Sequence, residues 1–229
     1  MSYKYMIHTC NKRKWYVNKY LIPSMLKQGI TKDQIIVAVD NDEIGVLFST
    51  MQMFDWIGRT QDWSDIMWHL QDDVIISDNF KRMTDNLYGD VICGFCSIYD
   101  KSRKFGLVEK QDMWYSFPCI GIKNYFAKDC ADWFFEKAMF EKENREKVNS
   151  GKYVDLFFRE YVMQYSKNIR VFNSNPNLVD HIDWMIGGSL INGQRVEKQV
   201  RSLYWKENKL VQELEKNVHD FVDKSTIIC

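Results

Sequence analysis

Residues 3–42 read YKYMIHTCNKRKWYVNKYLIPSMLKQGITKDQIIVAVDND, and this stretch decides the fold class. It opens on a short apolar run ending at Cys10, which reads as a strand. Apolar residues then recur at helical spacing through KWYVNKYLIPSMLKQG (14–29) and stop at Gly29. TKDQIIVAVDND (31–42) gives a second strand ending at Asp40. Strand, helix, strand in that order predicts a parallel α/β sheet.

The same reading extends along the chain. EIGVLFSTMQMFDWIGRT (43–60) is a helix leading into a turn, and DIMWHLQDDVII (65–76) a third strand. SDNFKRMTDNLY (77–88) starts a helix with Ser77 or Asp78 as its cap. GDVICGFCSIYD (89–100) reads as another strand, and KSRKFGLVEKQDMWYSFPCIGI (101–122) as a hairpin or an irregular region. Residues 124–148 read as a helix dense in aromatics and charges, and YVDLFFREYVMQYS (153–166) as an amphipathic one. NIRVFNSNPNLVDHI (168–182) is a last strand followed by a loop, and 194–224 a long charged helix. One domain over 1–192, with a C-terminal helical extension over 193–229, is the economical organisation.

Composition narrows the function classes. The chain has 229 residues, 45% of them hydrophobic and 15% aromatic, enough for one sizeable core. Lys plus Arg equals Asp plus Glu, so the formal charge is zero, which argues against bulk electrostatic binding to nucleic acid. Of six cysteines, only Cys93 and Cys96 have metal-like spacing. A strand would point them to opposite faces, and a zinc site needs four ligands. They read as small buried side chains in a reducing compartment. The start MSYKYMIHTC carries no hydrophobic leader, and no apolar run approaches the ~18 residues that span a bilayer. The expectation is a soluble, cytoplasmic protein with no membrane partner.

Open parallel sheets bind ligands outside the carboxyl ends of their strands. Three acidic features fall there: Asp40 with Asp42, the pair Asp72 and Asp73, and Asp155 at a helix start. Asp40 reads equally as a turn or cap residue. Asp155 reads equally as a favourable acid in a first helical turn. The adjacent pair is less easily dismissed. It interrupts MWHL and VII, so one carboxylate at least is desolvated, and buried carboxylates must be paired or bind a metal. Oxygen ligands of this kind suit Mg²⁺ or Mn²⁺, with substrate phosphates filling the remaining positions. His181 reads locally as a loop histidine, while His8 and His69 read as packing or hydrogen-bonding residues within strands.

A second strand ending in Asp and a third ending in Gln71-Asp72-Asp73 resemble the GT-A fold nucleotide-sugar glycosyltransferases, whose hallmark is Asp-x-Asp or a variant such as Glu-Asp-Asp. Gln71 departs from that hallmark. NPNLVDHIDWMIGGSLI (175–191) resembles the family's C-terminal stretch, in which Pro-x-Leu-Val precedes a histidine that completes the metal shell, with a serine after it. Those positions are Pro176, Leu178, Val179, His181 and Ser189.

The resemblance implies a GT-A-like, Rossmann-like mixed sheet flanked by helices. It assigns the divalent metal, Mn²⁺ or Mg²⁺, to Asp73 and His181. Donor contacts fall to Asp72, Gln71, Ser189 and Trp114, and base or ribose contacts to Thr9, Asn11, Arg13 and Asp40. Trp114, Tyr115, Pro118 and Gly121 would line the sugar and acceptor. Asp155 would be the base in an inverting transfer, with Glu160 as a weaker candidate. The implied donor is a nucleotide sugar, a UDP-sugar first. The implied acceptor is a hydroxymethylated pyrimidine in phage DNA, which would place the protein in the host cytoplasm, or a surface glycan. Basic runs at 11–14 and 101–104 and along 198–209 would serve a DNA acceptor, though solvated faces are their default reading. Two other classes share the acidic pair: a metal-dependent nucleotide-sugar hydrolase, and a non-catalytic nucleotide-binding protein, for which Gln71 is the best argument.

Overall fold

The computed structural model describes residues 4–62, 64–95, 106–109, 117–165, 169–175, 177–182 and 186. Trp114, Tyr115, Pro176, Ser189, Cys96, the basic run 101–104 and the expected extension 193–229 lie outside them. The opening unit is as the sequence predicts. β1 (Tyr5–Cys10) pairs in parallel with β2 (Ile35–Asp40), and helix α1 runs between them. α1 is continuous but changes pitch, through Lys14–Tyr16, a wide π turn Val17–Leu21, and Ile22–Lys27. Pro23 accounts for the widening: it has no N–H to donate and its ring crowds the carbonyl four residues back.

α2 (Val46–Thr60) follows β2, and β3 (Ile66–Gln71) returns on the far side of β1, again in parallel. From there the sheet ceases to be parallel. β7 (Cys119–Lys123) pairs antiparallel with β3 and with β5 (Val91–Cys93). β8 (Val171–Asn175) runs parallel to β5, and β6 (Gly106–Glu109) closes the order β2-β1-β3-β7-β5-β8-β6. The result is a mixed seven-stranded α/β sheet.

Alternation along the strands divides the core between two faces. On one face, Met6, Met67, Ile120 and Ile122 meet α2, α4 (Asn124–Glu136) and α6 (Val154–Tyr165), with Phe54, Phe134 and Phe158 fully buried. On the other, Tyr5, Ile7, Trp68 and Leu70 meet α1 and α3 (Phe80–Asn86). Burying Trp68 or Phe54 completely makes each worth about 3–5 kcal/mol against alanine. No helix among the described residues is long and apolar enough to cross a membrane.

Several expectations are corrected. DIMWHLQDDVII is not one strand: it breaks at Asp72–Asp73, and β4 (Val74–Ile76) leaves the main sheet. A continuous strand would send the two carboxylates to opposite faces, whereas the turn lets both reach one cation. The expected terminal loop contains a strand, β9 (Val179–His181), antiparallel to β4 with Val74 opposite His181. Within 101–122 the described strands do not pair with each other as a hairpin would: β7 pairs with β3 and β5, and β6 with β8. The long helix over 124–148 ends at Glu136. Buried Asn144 donates to the Ala138 carbonyl at 3.1 Å, a side-chain bond that competes with helix continuation before α5 (Arg145–Ser150). The helix after Ser77 begins later than expected: its N-cap is Asn79, with no side-chain cap bond. Gly121 lies in β7 opposite Trp68. It faces the Trp68 ring within the sheet, and a Cβ there would lie 3.0 Å from two ring carbons.

Candidate active site at the carboxyl ends of β1 and β3

β1 is where the chain order reverses. Its own connection runs to β2 on one side, and β3 enters on the other. Such switch points open a crevice beyond the strand ends, where ligands bind. The register puts His8 opposite Gln71, so Thr9 and Asp72 follow as neighbours at the rim. Thr9 Oγ1 donates to Asp72 Oδ2 at 2.8 Å. Arg13, in the turn after β1 with its backbone N–H on the Cys10 carbonyl, sends one guanidinium nitrogen to both acids. Nη1 donates to Asp72 Oδ1 at 3.2 Å and to Asp73 Oδ2 at 2.5 Å.

β9 carries His181 to the same point. The Asp73 carbonyl accepts from the Ile182 N–H at 2.8 Å, and Tyr16, wholly buried under the turn, donates to the Val74 carbonyl at 2.9 Å. His181 Nε2 thereby lies 3.2 Å from Asp73 Oδ2. Asp73 Oδ1 is buried and has no hydrogen-bond partner among the described residues.

Charge in this cluster is strongly perturbed. The Arg13 side chain is only 6% exposed, and burial opposes its charge, but two carboxylates outweigh that and keep it protonated. Burial and the neighbouring Asp73 push Asp72 up to about 6, against the pull of Arg13 and Thr9. Burial pushes Asp73 the same way, but His181 and Arg13 prevail and hold it below the ordinary carboxylate range. Asp73 is therefore the more readily ionised member of the pair, and Asp72 the more readily protonated.

On the α2 face of the sheet, β1, β2 and α2 line a cleft of ≈ 280 Å³, to which the acidic turn contributes no lining residue. Met53, Trp56 and Ile36 line it, with His8 and Ser49 among its polar walls and Asp40, Asn41 and Asp42 at its mouth. Asp40 is a loop-capping acid, accepting from the Ile44 and Gly45 N–H groups at 3.1 Å each. His8 lies 2.8 Å from Ser49 Oγ through Nε2 and 3.3 Å from Thr50 Oγ1 through Nδ1, as the sequence suggested for a strand histidine. Burial lowers it to about 4, partly offset by Asp40 and Asp73, so it is neutral.

Gln71 is the last residue of β3 and gives its N–H to the Pro118 carbonyl at 2.9 Å. Asn11 is exposed in the turn after β1. Asp155 is exposed in the first turn of α6, and no hydrogen bond or ion pair joins it to the acidic turn among the described residues. Its helix start is nevertheless tied to the Asp40 loop. Leu47 N–H bonds the Gly151 carbonyl at 2.9 Å, and a Cβ on Gly45 would lie 2.8 Å from that oxygen. Gly45, with φ of +94°, supplies both the conformation and the room. Sequence reading missed two features: Arg13 as partner of the acidic pair, and the cleft wall of Trp56, Met53 and Ser49. Nothing local signals either, because both depend on which strands become neighbours.

Among the described residues, no group of three or more His, Cys, Asp or Glu could hold a metal unaided. Asp73 and His181 would leave positions for phosphate oxygens and water. Compared with known proteins, the sequence matches no family model and no curated protein.

Proposed function

We propose that this chain is a metal-dependent glycosyltransferase that moves a sugar from a nucleotide diphosphate donor, a UDP-sugar first, to a hydroxyl acceptor. The observation that carries the reading is the gathering of Thr9, Arg13, Asp72, Asp73 and His181 at the sheet's switch point. The donor set fits a divalent cation. Asp73 Oδ2 and His181 Nε2 stand 3.2 Å apart. Two adjacent ligands on an octahedral ion with bonds of about 2.1 Å are separated by roughly 3 Å. One carboxylate and one imidazole suit Mn²⁺ well and Mg²⁺ less well.

The cation, when bound, neutralises the charge that develops on the leaving diphosphate. The chain's own residues would do the rest. Asp73 and His181 hold the cation. Asp72, fixed by Thr9 and Arg13, orients the donor. The cleft takes the nucleoside: Trp56 and Met53 offer apolar surface to a planar base, and Asp40, Asn41 and Asp42 offer acceptors to ribose hydroxyls. In an inverting transfer the bond from the anomeric carbon to the phosphate oxygen breaks as the acceptor oxygen bonds that carbon. Asp155 then takes the hydroxyl proton. The acceptor is a hydroxymethylated pyrimidine in DNA or a surface glycan, and salt dependence separates them, because only the polyanion releases counter-ions on binding.

The test is transfer from UDP-sugars with Mn²⁺, with excess chelator, and with Asp73→Asn. The expected result is transfer that chelator and Asp73→Asn both abolish while the variant keeps its fold. Unchanged transfer in either case overturns the mechanism. Donor hydrolysis that no acceptor alters would make the protein a hydrolase.

A further inference from the structure

We propose that Arg13 is a built-in counter-ion that makes the divalent cation and the diphosphate bind only as a pair. The inference rests on the functional reading above and concerns the regulation of the same site. Arg13 comes from the turn after β1, while the two acids come from the turn after β3, and its Nη1 bridges them at 3.2 and 2.5 Å. The acid side chains are 12% and 14% exposed, so water screens these charges weakly.

The charges can be counted. Two carboxylates and one guanidinium sum to −1, and His181 adds nothing to that sum once it binds a cation, which it does as a neutral imidazole. A bare divalent cation would take the site to +1, an uncompensated charge in a poorly solvated place. The same cation arriving with a diphosphate brings the excess back below zero. Arg13 also occupies Asp73 Oδ2, the oxygen nearest His181, so a cation arriving alone must share that atom with a guanidinium. Without Arg13 the site would stand at −2, and a bare divalent cation would neutralise it. Arg13 is thus a positioning residue: it holds the acids in register and keeps the site closed to free metal. Because binding linkage is reciprocal, the diphosphate alone should be disfavoured by the same factor as the metal alone.

The experiment is calorimetry on the full chain with Mn²⁺ alone, UDP alone, and each in the presence of the other. For the natural sequence, each ligand should bind at least about tenfold more tightly when the other is present, within the usual span of such couplings. In Arg13→Gln, Mn²⁺ alone should bind at least about tenfold more tightly than to the natural chain, and the benefit from UDP should shrink. Arg13→Lys, which keeps the charge, should preserve the mutual dependence. Should Arg13→Gln fold only when Mn²⁺ is supplied, the metal is replacing the missing cation, as proposed. Mn²⁺ binding the natural chain equally well with and without UDP overturns the proposal, as does an unchanged Mn²⁺ affinity in a folded Arg13→Gln. In either case joint binding of Mn²⁺ and UDP leaves the glycosyltransferase reading standing. Failure of the natural chain to bind the two together removes that reading itself.

Discussion

The structure buries polar side chains in two neighbouring places and treats them in opposite ways. Where the turns after β1 and β3 meet, Arg13, Asp72 and Asp73 are buried together and bonded to one another, to Thr9 and to His181. One layer below, on the face of α2, His8 and His69 lie with ring centroids 6.0 Å apart and are buried as neutral groups. His69 is wholly enclosed, with Phe117 at 5.1 Å and Phe54 at 6.0 Å, and neither ring nitrogen has a hydrogen-bond partner among the described residues. An imidazole can give up its proton to avoid the cost of burial, but a guanidinium cannot, so Arg13 must bring counter-charges with it. The charged turn is therefore the place suited to an ionic ligand, whereas the wholly enclosed His69 is packed as scaffold.

Breaking the charged turn should have the largest effect. Arg13→Gln leaves two neighbouring carboxylates uncompensated, and without metal it should cost about 3–5 kcal/mol in urea unfolding. A change under ~1 kcal/mol would mean that the ion triad is open to water and that the comparison above fails.

The pH dependence sharpens the contrast, because the two regions should slope in opposite directions. His69 is held well below its ordinary value by burial and by His8. Its unfolded form takes up a proton below about pH 6.5, which the folded form refuses, so its contribution is lost as pH falls. Relative to His69→Phe, the natural chain should lose about 1.2 kcal/mol between pH 6 and 5. Asp72, raised to about 6, behaves in reverse. Between pH 6 and 4 the folded form binds a proton that the unfolded form does not. Relative to Asp72→Asn, the natural chain should gain stability as pH falls through that window. Parallel profiles for the natural chain and both variants, from unfolding at stepped pH, would contradict these assignments. At constant pH 7, His69→Phe should change stability by no more than about 1.5 kcal/mol, since it replaces an unpartnered ring by a similar apolar one among aromatics.

The smallest effect should come from ion pairs outside both regions. Lys128 pairs with Asp132 and Asp55 on the outer sides of α4 and α2, and Asp132 is 43% exposed. Asp132→Ala should move stability by less than about 1 kcal/mol. A larger loss would place the surface pairs on a par with the buried triad.

These contrasts also show what the sequence could reveal. The β1–α1–β2 opening was legible because its strands are apolar runs and its helix keeps helical spacing up to Gly29. The acidic pair was legible as an anomaly, but not as a turn. Two charges between apolar runs say that something is desolvated, without saying that β4 departs from the sheet. β9 was illegible because three residues, two of them Asp180 and His181, show no strand pattern of their own and become a strand only by pairing with β4. Arg13 was expected to face a donor, since pairing it with Asp72 and Asp73, 59 and 60 residues on, needs the strand order β2-β1-β3. Asp155 reads the same way in sequence and in structure, an exposed acid in a first helical turn, so its role rests on the acceptor chemistry.

The central claim is that Asp73 and His181 form the cation end of a nucleotide-diphosphate site. Titrating UDP into the full chain with Mn²⁺ present, and into Asp73→Asn and His181→Ala under the same conditions, tests it most directly. The account predicts a single site on the natural chain, weakened at least about tenfold in both variants while their folds persist, with the loss equalling that caused by chelator. Equal affinity in all three chains, or no binding to the natural one, would contradict it.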